Sequence, residues 1–480
     1  MSDPHAHPPA QPSGRSPRVL VAVAAAIVFV VAGAAVVALF VTRDTGPHYP
    51  KQWDSRVTDI VSFNEATRGL KYKHPVEIEF MTDDAFTKTL SRANGPTAAE
   101  KQQIDQLSAG YRALGLISGD VDLYQQSQDL QSGGTLAYYD PKTKKIRVRG
   151  TDMTPALRVT LAHEMTHVLQ DQYFDLNRLE KTKDDGERSA FRAVVEGDAV
   201  GVENAYVEQL PVADKASYQS ESKQSSGTAG YDKSSQVLVA NFTAPYIIGP
   251  PFVATLKAKG GNPAIDEAIK HPPASEAALL DIFTYFADQV PVSVEVPVVG
   301  DAEKKLDASP LGATTWYLML ARRLPGNVAA KAVDGWAGDS ALTYSKSDGS
   351  VCVRARYDGK TSADTEAMKV MLDQWVAQGP ADSASTSTSR SYVELNACDP
   401  GKDAQLSGTD QSVAAIELLA VRLQVVEAGF EQGATATVVD CISNKVLDQL
   451  TLADLGNDAE STAIHQKFLD SMSAAVVACH

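Results

Sequence analysis

The chain has 480 residues, 44% of them hydrophobic and 22% charged, which is typical of globular protein and leaves room for two or three domains. The net charge is −16 at pH 7 and no basic cluster is present, so the composition argues against a nucleic-acid-binding protein. A cationic partner or simple solubility would explain the acidity equally well.

The N-terminal region has the pattern of a membrane anchor. Residues 1–18, rich in Pro, Ser and His, predict a disordered cytoplasmic tail. Residues 19–41 form an uncharged apolar run long enough to span a bilayer, and residues 42–52 predict a tether. A secretory signal peptide is the alternative, but its apolar region usually has only about 7–15 residues. Two arginines precede the run, so we expect a single-pass protein with a cytoplasmic N-terminus and an extracytoplasmic bulk.

Residues 53–325 combine helical periodicity with strand-like alternation, the pattern of an α+β domain. Helical periodicity predicts helices over residues 53–70 and 97–114, and alternation predicts a strand over residues 76–81. A strand, a turn and a second strand at residues 136–149 form a predicted hairpin directly before the next helix. Such a strand can bind an extended peptide along its open edge, although a hairpin that only covers the core is as good an interpretation.

The motif H-E-x-x-H lies on the next predicted helix, at His163, Glu164 and His167. Thr154 supplies an N-cap oxygen, and Pro155 has a φ angle suited to the first helical turn. Histidines four residues apart lie on one side of a helix, where both imidazoles can bind one metal ion. Zinc suits this spacing best, because the ion lowers the pKa of a bound water to roughly 7 and Glu164 is placed to remove its proton.

The two histidines also lie away from the apolar stripe of their helix. A structural histidine more often lies at the edge of such a stripe, so we favour metal binding. The residue ten positions after His163 is Tyr173, which excludes the metzincin pattern with a third histidine there. We therefore expect the third ligand to be a carboxylate from a later helix.

Glu196 is the candidate for that carboxylate. It follows two valines in a predicted helix, where an unpaired buried carboxylate would be costly. Metal coordination would satisfy it, and a salt bridge to Arg192, one turn earlier, is the structural alternative. Glu203 shares the face of Glu196 and is the reserve ligand. Asp198 faces roughly the opposite side, so we expect it to contact a neighbouring element or to orient a histidine.

The remaining chain predicts a surface segment and two smaller units. Residues 209–235 are polar, lack an apolar period and predict a surface excursion. Residues 326–405 predict a small α/β unit in which residues 383–389 form a loop. Residues 406–480 predict a helical C-terminal unit.

The four cysteines, Cys352, Cys398, Cys441 and Cys479, all lie in the last third of the chain. An even set in an exported region predicts disulfides, and the spacing does not fit a zinc or redox motif. Among the three possible connectivities we favour pairing in order, Cys352 with Cys398 and Cys441 with Cys479.

The motif H-E-x-x-H from His163 to His167, followed by E-G-D-A from Glu196, resembles the gluzincin group of zinc metallopeptidases. In that group a glutamate on a second helix completes the zinc site. The resemblance implies Zn²⁺ bound by His163, His167 and Glu196, with Glu164 as general base and acid. Thermolysin-like members have an aspartate four residues after the ligand glutamate, where this chain has Val200.

Residues 242–252 and 272–276 are similar to segments of uncharacterised bacterial membrane-anchored cell-surface metallopeptidase-like proteins, and the similarity covers roughly residues 61–324. The expected fold class is therefore α+β. A zincin-like metallopeptidase domain follows one N-terminal transmembrane helix and precedes a mainly helical, disulfide-stapled C-terminal region.

These observations predict a membrane-anchored, extracytoplasmic zinc peptidase that hydrolyses a peptide or protein substrate with metal-activated water. Tyr173, Tyr206 and His271 are candidates to stabilise the oxyanion, and the sequence does not select among them. The alternative is a non-catalytic cell-surface binding or scaffold protein that retains a metal site. We expect no nucleic-acid partner, and the pattern does not predict an oligomeric state.

Overall fold

A computed structural model describes residues 49–90, 95–228, 230–404, 410–455 and 462–479. The predicted cytoplasmic tail, the predicted anchor and most of the predicted tether lie outside the described residues. Within the described ranges the protein is a mixed α/β structure, mainly helical, with two β-sheets and two disulfides.

The two sheets in the described ranges differ in topology. The smaller sheet has the order β1-β3-β2, with β1 parallel and β2 antiparallel to β3. The larger sheet is antiparallel, with the order β4-β5-β6-β8-β7. The strands are β1 (Glu77–Met81), β2 (Ala137–Asp140), β3 (Lys145–Arg149), β4 (Lys304–Ala308), β5 (Trp336–Ser345), β6 (Val351–Gly359), β7 (Ala384–Thr388) and β8 (Val393–Cys398).

Helices make up most of the described structure. Those of the first half are α1 (Thr58–Arg68), α2 (Asp83–Leu90), α3 (Ala98–Ala113), α4 (Leu123–Ser132), α5 (Pro155–Phe174), α6 (Arg178–Lys181), α7 (Asp185–Gln209), α8 (Val212–Thr228) and α9 (Gln236–Lys270). Those of the second half are α10 (Ala277–Leu280), α11 (Ile282–Phe286), α12 (Ala313–Ala321), α13 (Gly326–Asp334), α14 (Ser362–Ala377), α15 (Ser412–Glu431), α16 (Ala436–Leu447) and α17 (Thr462–Cys479). Short 3-10 turns occur at Ser55–Val57, Tyr231–Lys233 and Leu452–Leu455.

Helix α5, which carries the H-E-x-x-H motif, begins where the sequence predicts. Thr154 Oγ1 accepts a hydrogen bond from the Leu157 amide, and Pro155 is the first helical residue. The helix packs against α1, β2, α7 and α8, so side chains on all of its faces are buried. Polar side chains on such a helix meet protein rather than water, and each therefore needs a polar partner.

Helices α7 and α9 touch backbone to backbone. A Cβ atom added at Gly197 would lie 2.2 Å from the carbonyl oxygen of Gly249, and one added at Gly249 would lie 2.3 Å from that of Ala193. Glycine is therefore the residue that fits at both positions. The close approach brings Tyr246 on α9 against Glu196 on α7, within hydrogen-bond distance.

Two hydrophobic cores hold these elements together. The smaller core lies between the three-stranded sheet, α1 and α5. The larger core joins α7, α9 and α12 to side chains from residues 326–405 and 406–480. The predicted domain of residues 53–325 and the two smaller predicted units therefore share one core. Trp316 and Tyr317 on α12 lie fully buried in it.

The predictions for two polar segments need correction. Residues 209–235, predicted as an excursion without an apolar period, contain helix α8, which packs on α5 and accepts a hydrogen bond from the Ala156 amide at Glu221. Residues 383–389, predicted as a loop, contain β7, which pairs with β8 at the edge of the larger sheet. Both elements are stabilised by a neighbour rather than by their own apolar pattern, and a polar Ser/Thr strand is suited to a sheet edge.

Among the described residues, one helix, α9, has the length and apolar composition that would let it cross a bilayer, and 56% of its most apolar window is buried inside the protein. It contacts α7 and α15, and its course changes at Gly261, where φ is 66°. A core helix of a soluble domain meets the same criteria of length and composition.

Both predicted disulfides are confirmed. Cys352 and Cys398 lie opposite each other on β6 and β8, and their bond links these two strands. Cys441 and Cys479 link α16 to α17. Each bond restricts the unfolded chain and is expected to add about 2–4 kcal/mol to the free energy of unfolding.

Candidate metal centre

Three side chains on α5 and α7 direct ligand atoms at one point. The Nε2 atoms of His163 and His167 lie 3.0 Å apart, and Glu196 Oε2 lies 3.3 Å from each of them. A tetrahedral cation bound at 2.0–2.1 Å has ligand atoms about 3.3 Å apart. The three side chains therefore match three corners of such a site, and this buried group could hold a metal ion.

Neighbouring groups determine which ring nitrogen carries the proton. His163 Nδ1 lies 3.0 Å from Glu203 Oε2, and His167 Nδ1 lies 2.9 Å from Gln170 Oε1. Both partners are acceptors, so both Nδ1 atoms donate and both Nε2 atoms present lone pairs. Glu196 Oε2 is buried and receives no hydrogen bond from the described residues. Three lone pairs that converge in this way repel one another unless a cation lies between them.

The pKa of His163 also indicates that positive charge is favoured here. Burial lowers this pKa, but the nearby carboxylates of Glu196 and Glu203 outweigh it and raise the pKa well above its ordinary value. Burial likewise raises the pKa of Glu196, but the nearby histidines outweigh it and hold that pKa well below its ordinary value. A proton or a metal ion would therefore be retained between these groups.

Glu164 lies beside this group without joining it. Its Oε2 accepts a hydrogen bond of 2.7 Å from the Tyr139 amide on β2, whereas its buried Oε1 has no partner among the described residues. Burial raises the pKa of Glu164 to about 7, against the lowering effect of His163 and His167. A carboxylate with this pKa can both take up and release a proton near neutral pH.

The second oxygen of Glu196 faces away from the histidines. Tyr246 donates its hydroxyl to Glu196 Oε1 at 3.1 Å, and Arg192 Nε lies 3.7 Å from the same oxygen. The Arg192 contact matches the salt bridge considered from the sequence. Glu196 therefore contacts Tyr246 and Arg192 through Oε1 while its Oε2 faces the two histidines.

A buried polar network extends behind His167. Gln170 Nε2 donates to Asp198 Oδ2 at 2.8 Å and to the Val195 carbonyl at 2.9 Å, which orients Gln170 Oε1 towards His167. Asp198 in turn forms a buried salt bridge with Arg68 at 2.9 Å. Asp198 was expected to contact a neighbouring element or to orient a histidine; it contacts Arg68 on α1 and holds Gln170, which in turn contacts His167.

The structure separates the remaining candidates from the metal centre. Glu203, the reserve ligand, contacts Nδ1 of His163 and is not one of the three converging donors. Tyr173 donates its hydroxyl to the Lys71 carbonyl, Tyr206 packs its ring against Phe63, and His271 is exposed at the end of α9. These three residues were predicted as oxyanion donors from residue type alone, and packing directs each of them elsewhere.

Three groups at the site were not predicted from the sequence. They are the Tyr246 hydroxyl, the Gln170 amide and the backbone amide of Tyr139. Gln170 follows His167 by three residues on the same helix, a spacing that could have identified it. Tyr246 lies in the segment that resembles metallopeptidase-like proteins, but its role depends on the contact between α7 and α9.

The outer edge of β2 faces α5. The backbone amide of Tyr139 donates a hydrogen bond to Glu164. Ala137 and Tyr139 are almost completely buried. This geometry supports the interpretation in which the hairpin covers the core. His163, Glu164, His167 and Glu196 are each no more than 3% exposed. Arg192 also lines a cavity of about 820 Å³, so the cavity lies next to the ligand Glu196.

Comparisons with known proteins identified no relative of this chain. The chain matches no protein-family model, no curated protein and no solved structure. The assignment of a candidate metal centre therefore depends on the convergence of His163, His167 and Glu196.

Proposed function

We propose that the protein is a zinc-dependent peptidase of the gluzincin type with a zincin-like domain. The observation that carries this proposal is the convergence of His163, His167 and Glu196 with Glu164 beside them. Two imidazoles and one carboxylate are a ligand set that suits zinc, and three protein ligands leave a fourth position for water or substrate. Structural zinc sites more often have four protein ligands.

Each residue of the centre has a distinct task in this proposal. A bound zinc ion would polarise the peptide carbonyl and lower the pKa of a water molecule. Glu164 would accept one proton from the water while the oxygen of the water forms a bond with the carbonyl carbon. The carbon–nitrogen bond then breaks, and Glu164 returns the proton to the leaving nitrogen. Tyr246 and Arg192, which lie at Glu196, replace Tyr173, Tyr206 and His271 as candidates to stabilise the oxyanion.

The proposed location is the outer face of a cell membrane, with residues 19–41 as a single anchor. The two disulfides support an oxidising, extracytoplasmic compartment. The substrate is then a peptide or protein outside the cytoplasm.

A second candidate function is a scaffold that uses the metal for stability. The near-complete burial of the four central side chains favours it, because a substrate must displace part of the structure to reach them. The two functions differ in turnover and not in metal content.

The decisive experiment uses the full chain in detergent, loaded with zinc, and casein as substrate. We expect Glu164→Gln to retain zinc, measured by mass spectrometry, and to lose at least about 100-fold in hydrolysis, because the proton carrier is gone. Glu366→Gln, on the exposed side of α14, is the matched control and should retain full activity.

Two further results complete this test. We expect 1,10-phenanthroline to stop hydrolysis and Glu196→Ala to lose zinc. Equal hydrolysis by the Glu164→Gln and parent proteins would refute the peptidase. Zinc binding without chelator-sensitive turnover of any peptide in a broad library would establish the scaffold instead.

A further inference from the structure

The cavity next to Arg192 has a wall of carboxylates that the metal centre does not use. We define the acidic cavity by Asp184, Glu276 and Asp339, which line it together with apolar side chains from α9 and residues 291–296. Its volume of about 820 Å³ is that of a ligand-binding cleft. Glu276 and Asp339 are more than nine-tenths buried.

The charges of these carboxylates are not balanced by protein cations. No lysine, arginine or histidine of the described residues lies within 4 Å of a carboxylate oxygen of Glu276, Asp339 or Asp184. Lys183 and Arg192 also line the cavity, yet neither forms an ion pair with the three acids. Burial of acids without a cation is costly, because backbone amides supply only partial positive charge.

Backbone amides do account for part of this arrangement. Glu276 Oε1 accepts a hydrogen bond from the Thr314 amide at the start of α12, and Asp339 accepts from the Leu311 and Gly312 amides and from Trp336 Nε1. These contacts position both carboxylates. Burial outweighs them and raises the pKa of Glu276 to about 7 and that of Asp339 to about 6, so both groups are mainly ionised above neutral pH.

The acids of the acidic cavity do not form a three-ligand metal site. Within the described residues, His163, His167 and Glu196 are the group of three such side chains whose ligand atoms lie within 4.8 Å of one another. The acids of the cavity are more widely spaced, which suits an extended organic cation that several carboxylates contact from different sides.

We propose that the acidic cavity binds the cationic group, ammonium or guanidinium, of a peptide whose scissile bond lies at the metal centre. This inference rests on the proposed peptidase function and assigns a substrate class to it. Arg192 marks the end of the cavity nearest the metal centre, and Glu276 marks the cationic subsite.

The length of α7 sets the distance between the two sites. A Cβ atom added at Gly186 would lie 3.3 Å from Glu276 Oε2, and Gly186 precedes Glu196 by ten residues on α7. The cationic subsite is therefore about 15 Å along the helix axis from the metal ligand. An extended peptide advances about 3.4 Å per residue, so the cation belongs roughly four or five residues from the scissile bond.

The first test measures binding without hydrolysis. The full chain carrying Glu164→Gln is titrated at pH 8 with N-acetyl-lysine methylamide, which has only a side-chain amine, and with leucine methylamide, which has only an α-amine. N-acetyl-norleucine methylamide is the neutral reference. We expect one of the two amines to bind at least about tenfold more tightly than the reference, and the stronger one identifies the source of the cation.

Variants locate the binding site. Glu276→Gln keeps the acceptor for Thr314 and should abolish the preference, and Asp184→Asn, which remains a good N-cap for α7, should reduce it. Glu427→Gln removes a half-buried glutamate of α15 outside the cavity and should leave the preference unchanged. Equal binding of all three compounds, or a preference that survives Glu276→Gln, would overturn the inference.

Hydrolysis separates this inference from the proposed function. Peptides with one lysine placed two to six residues from a single cleavable bond are compared with peptides that have norleucine at the same place. Cleavage without a preference for lysine would overturn the cationic subsite and leave the peptidase standing. Amine binding that depends on Glu276, with no cleavage of any peptide, would overturn the peptidase and leave the subsite standing.

Discussion

The protein buries acidic side chains at the metal centre and in the acidic cavity, and the two places differ in the partners that surround these carboxylates. At the metal centre Glu203 contacts His163, Asp198 contacts Arg68, and Glu196 lies between two histidines. In the acidic cavity, Glu276 and Asp339 accept hydrogen bonds only from neutral donors as far as the structure describes the chain. The pKa of Glu196 is accordingly lowered and that of Glu276 is raised, although both are almost fully buried.

The difference shows that burial alone does not determine the charge of a carboxylate here. Desolvation raises the pKa at both places, and nearby positive charge outweighs it only at the metal centre. The group at the metal centre could therefore hold a cation, whereas the buried acids of the acidic cavity have no cationic partner among the described residues and take up protons more readily. Four experiments test this difference between the metal centre and the acidic cavity and the packing that holds them.

The largest effect is expected from removal of the metal. Zinc at 1,000 times its dissociation constant would stabilise the folded chain by about 4 kcal/mol, and a chelator would remove this contribution. Hydrogen exchange should then increase in α5 and α7 while β5 and β6 retain their protection. Unchanged thermal unfolding after zinc depletion, verified by metal analysis, would show that the convergent lone pairs do not hold an ion.

Gly249→Ala should cost about 3 kcal/mol or more in the free energy of unfolding, because the new Cβ would lie 2.3 Å from the Ala193 carbonyl oxygen. The forced separation of α7 from α9 should also weaken metal binding through Tyr246. Gly201→Ala on the same α7, where nothing lies within 4 Å, is the control and should be neutral or stabilise by up to about 1 kcal/mol. Similar urea midpoints for the two variants would contradict the packing argument.

Ionisation of the buried Glu276 carboxyl should lower the free energy of unfolding as pH rises. Its pKa in the folded state, about 7, exceeds the ordinary value of 4.5, so the folded state binds more protons between these values. The stabilising contribution is complete below pH 4.5 and is lost as pH rises to about 7, a change of about 3 kcal/mol. Denaturant unfolding across this range should show a shallower decline for Glu276→Gln than for the parent, whereas Glu366→Gln should follow the parent.

The smallest effect is expected for Gln170→Ala. Loss of the acceptor at His167 Nδ1 should lower zinc affinity about tenfold to 100-fold, because the ring would no longer be held in one orientation and tautomer. Gln172→Ala on the same helix removes contacts to Lys73 and His74 and should leave zinc affinity unchanged. Competition with a zinc-binding dye measures both, and equal affinities would remove Gln170 from the metal centre.

Local patterns predicted many elements of the fold. The start of α5 followed from Thr154 and Pro155, and the hairpin β2–β3 followed from its alternation and turn. Predictions did not hold where an element depends on a distant neighbour. The strand β7 exists because β8 pairs with it, and the polar helix α8 lies on α5, so neither has a pattern of its own.

The same distinction applies to the candidate site. Residues 163, 164 and 167 come from one helix, and their spacing alone brings the histidines to one side. Arg192 contacts Glu196 from one helical turn away, as expected from the sequence. Tyr246 reaches Glu196 from 50 residues away, and Tyr139 reaches Glu164 across 25 residues through its backbone, which no residue type reveals.

From the sequence we predicted the H-E-x-x-H helix, the later glutamate and the favoured pairing of the cysteines, because each depends on spacing or on a small number of alternatives. The contacts of Glu203 with His163 and of Tyr246 with Glu196, and the cavity that Glu276 and Asp339 line, became evident only from the folded structure. The physical reason is that these contacts depend on how closely α7 and α9 approach and on where α12 begins. Such distances result from the packing of the whole core and leave no periodic signal along the chain.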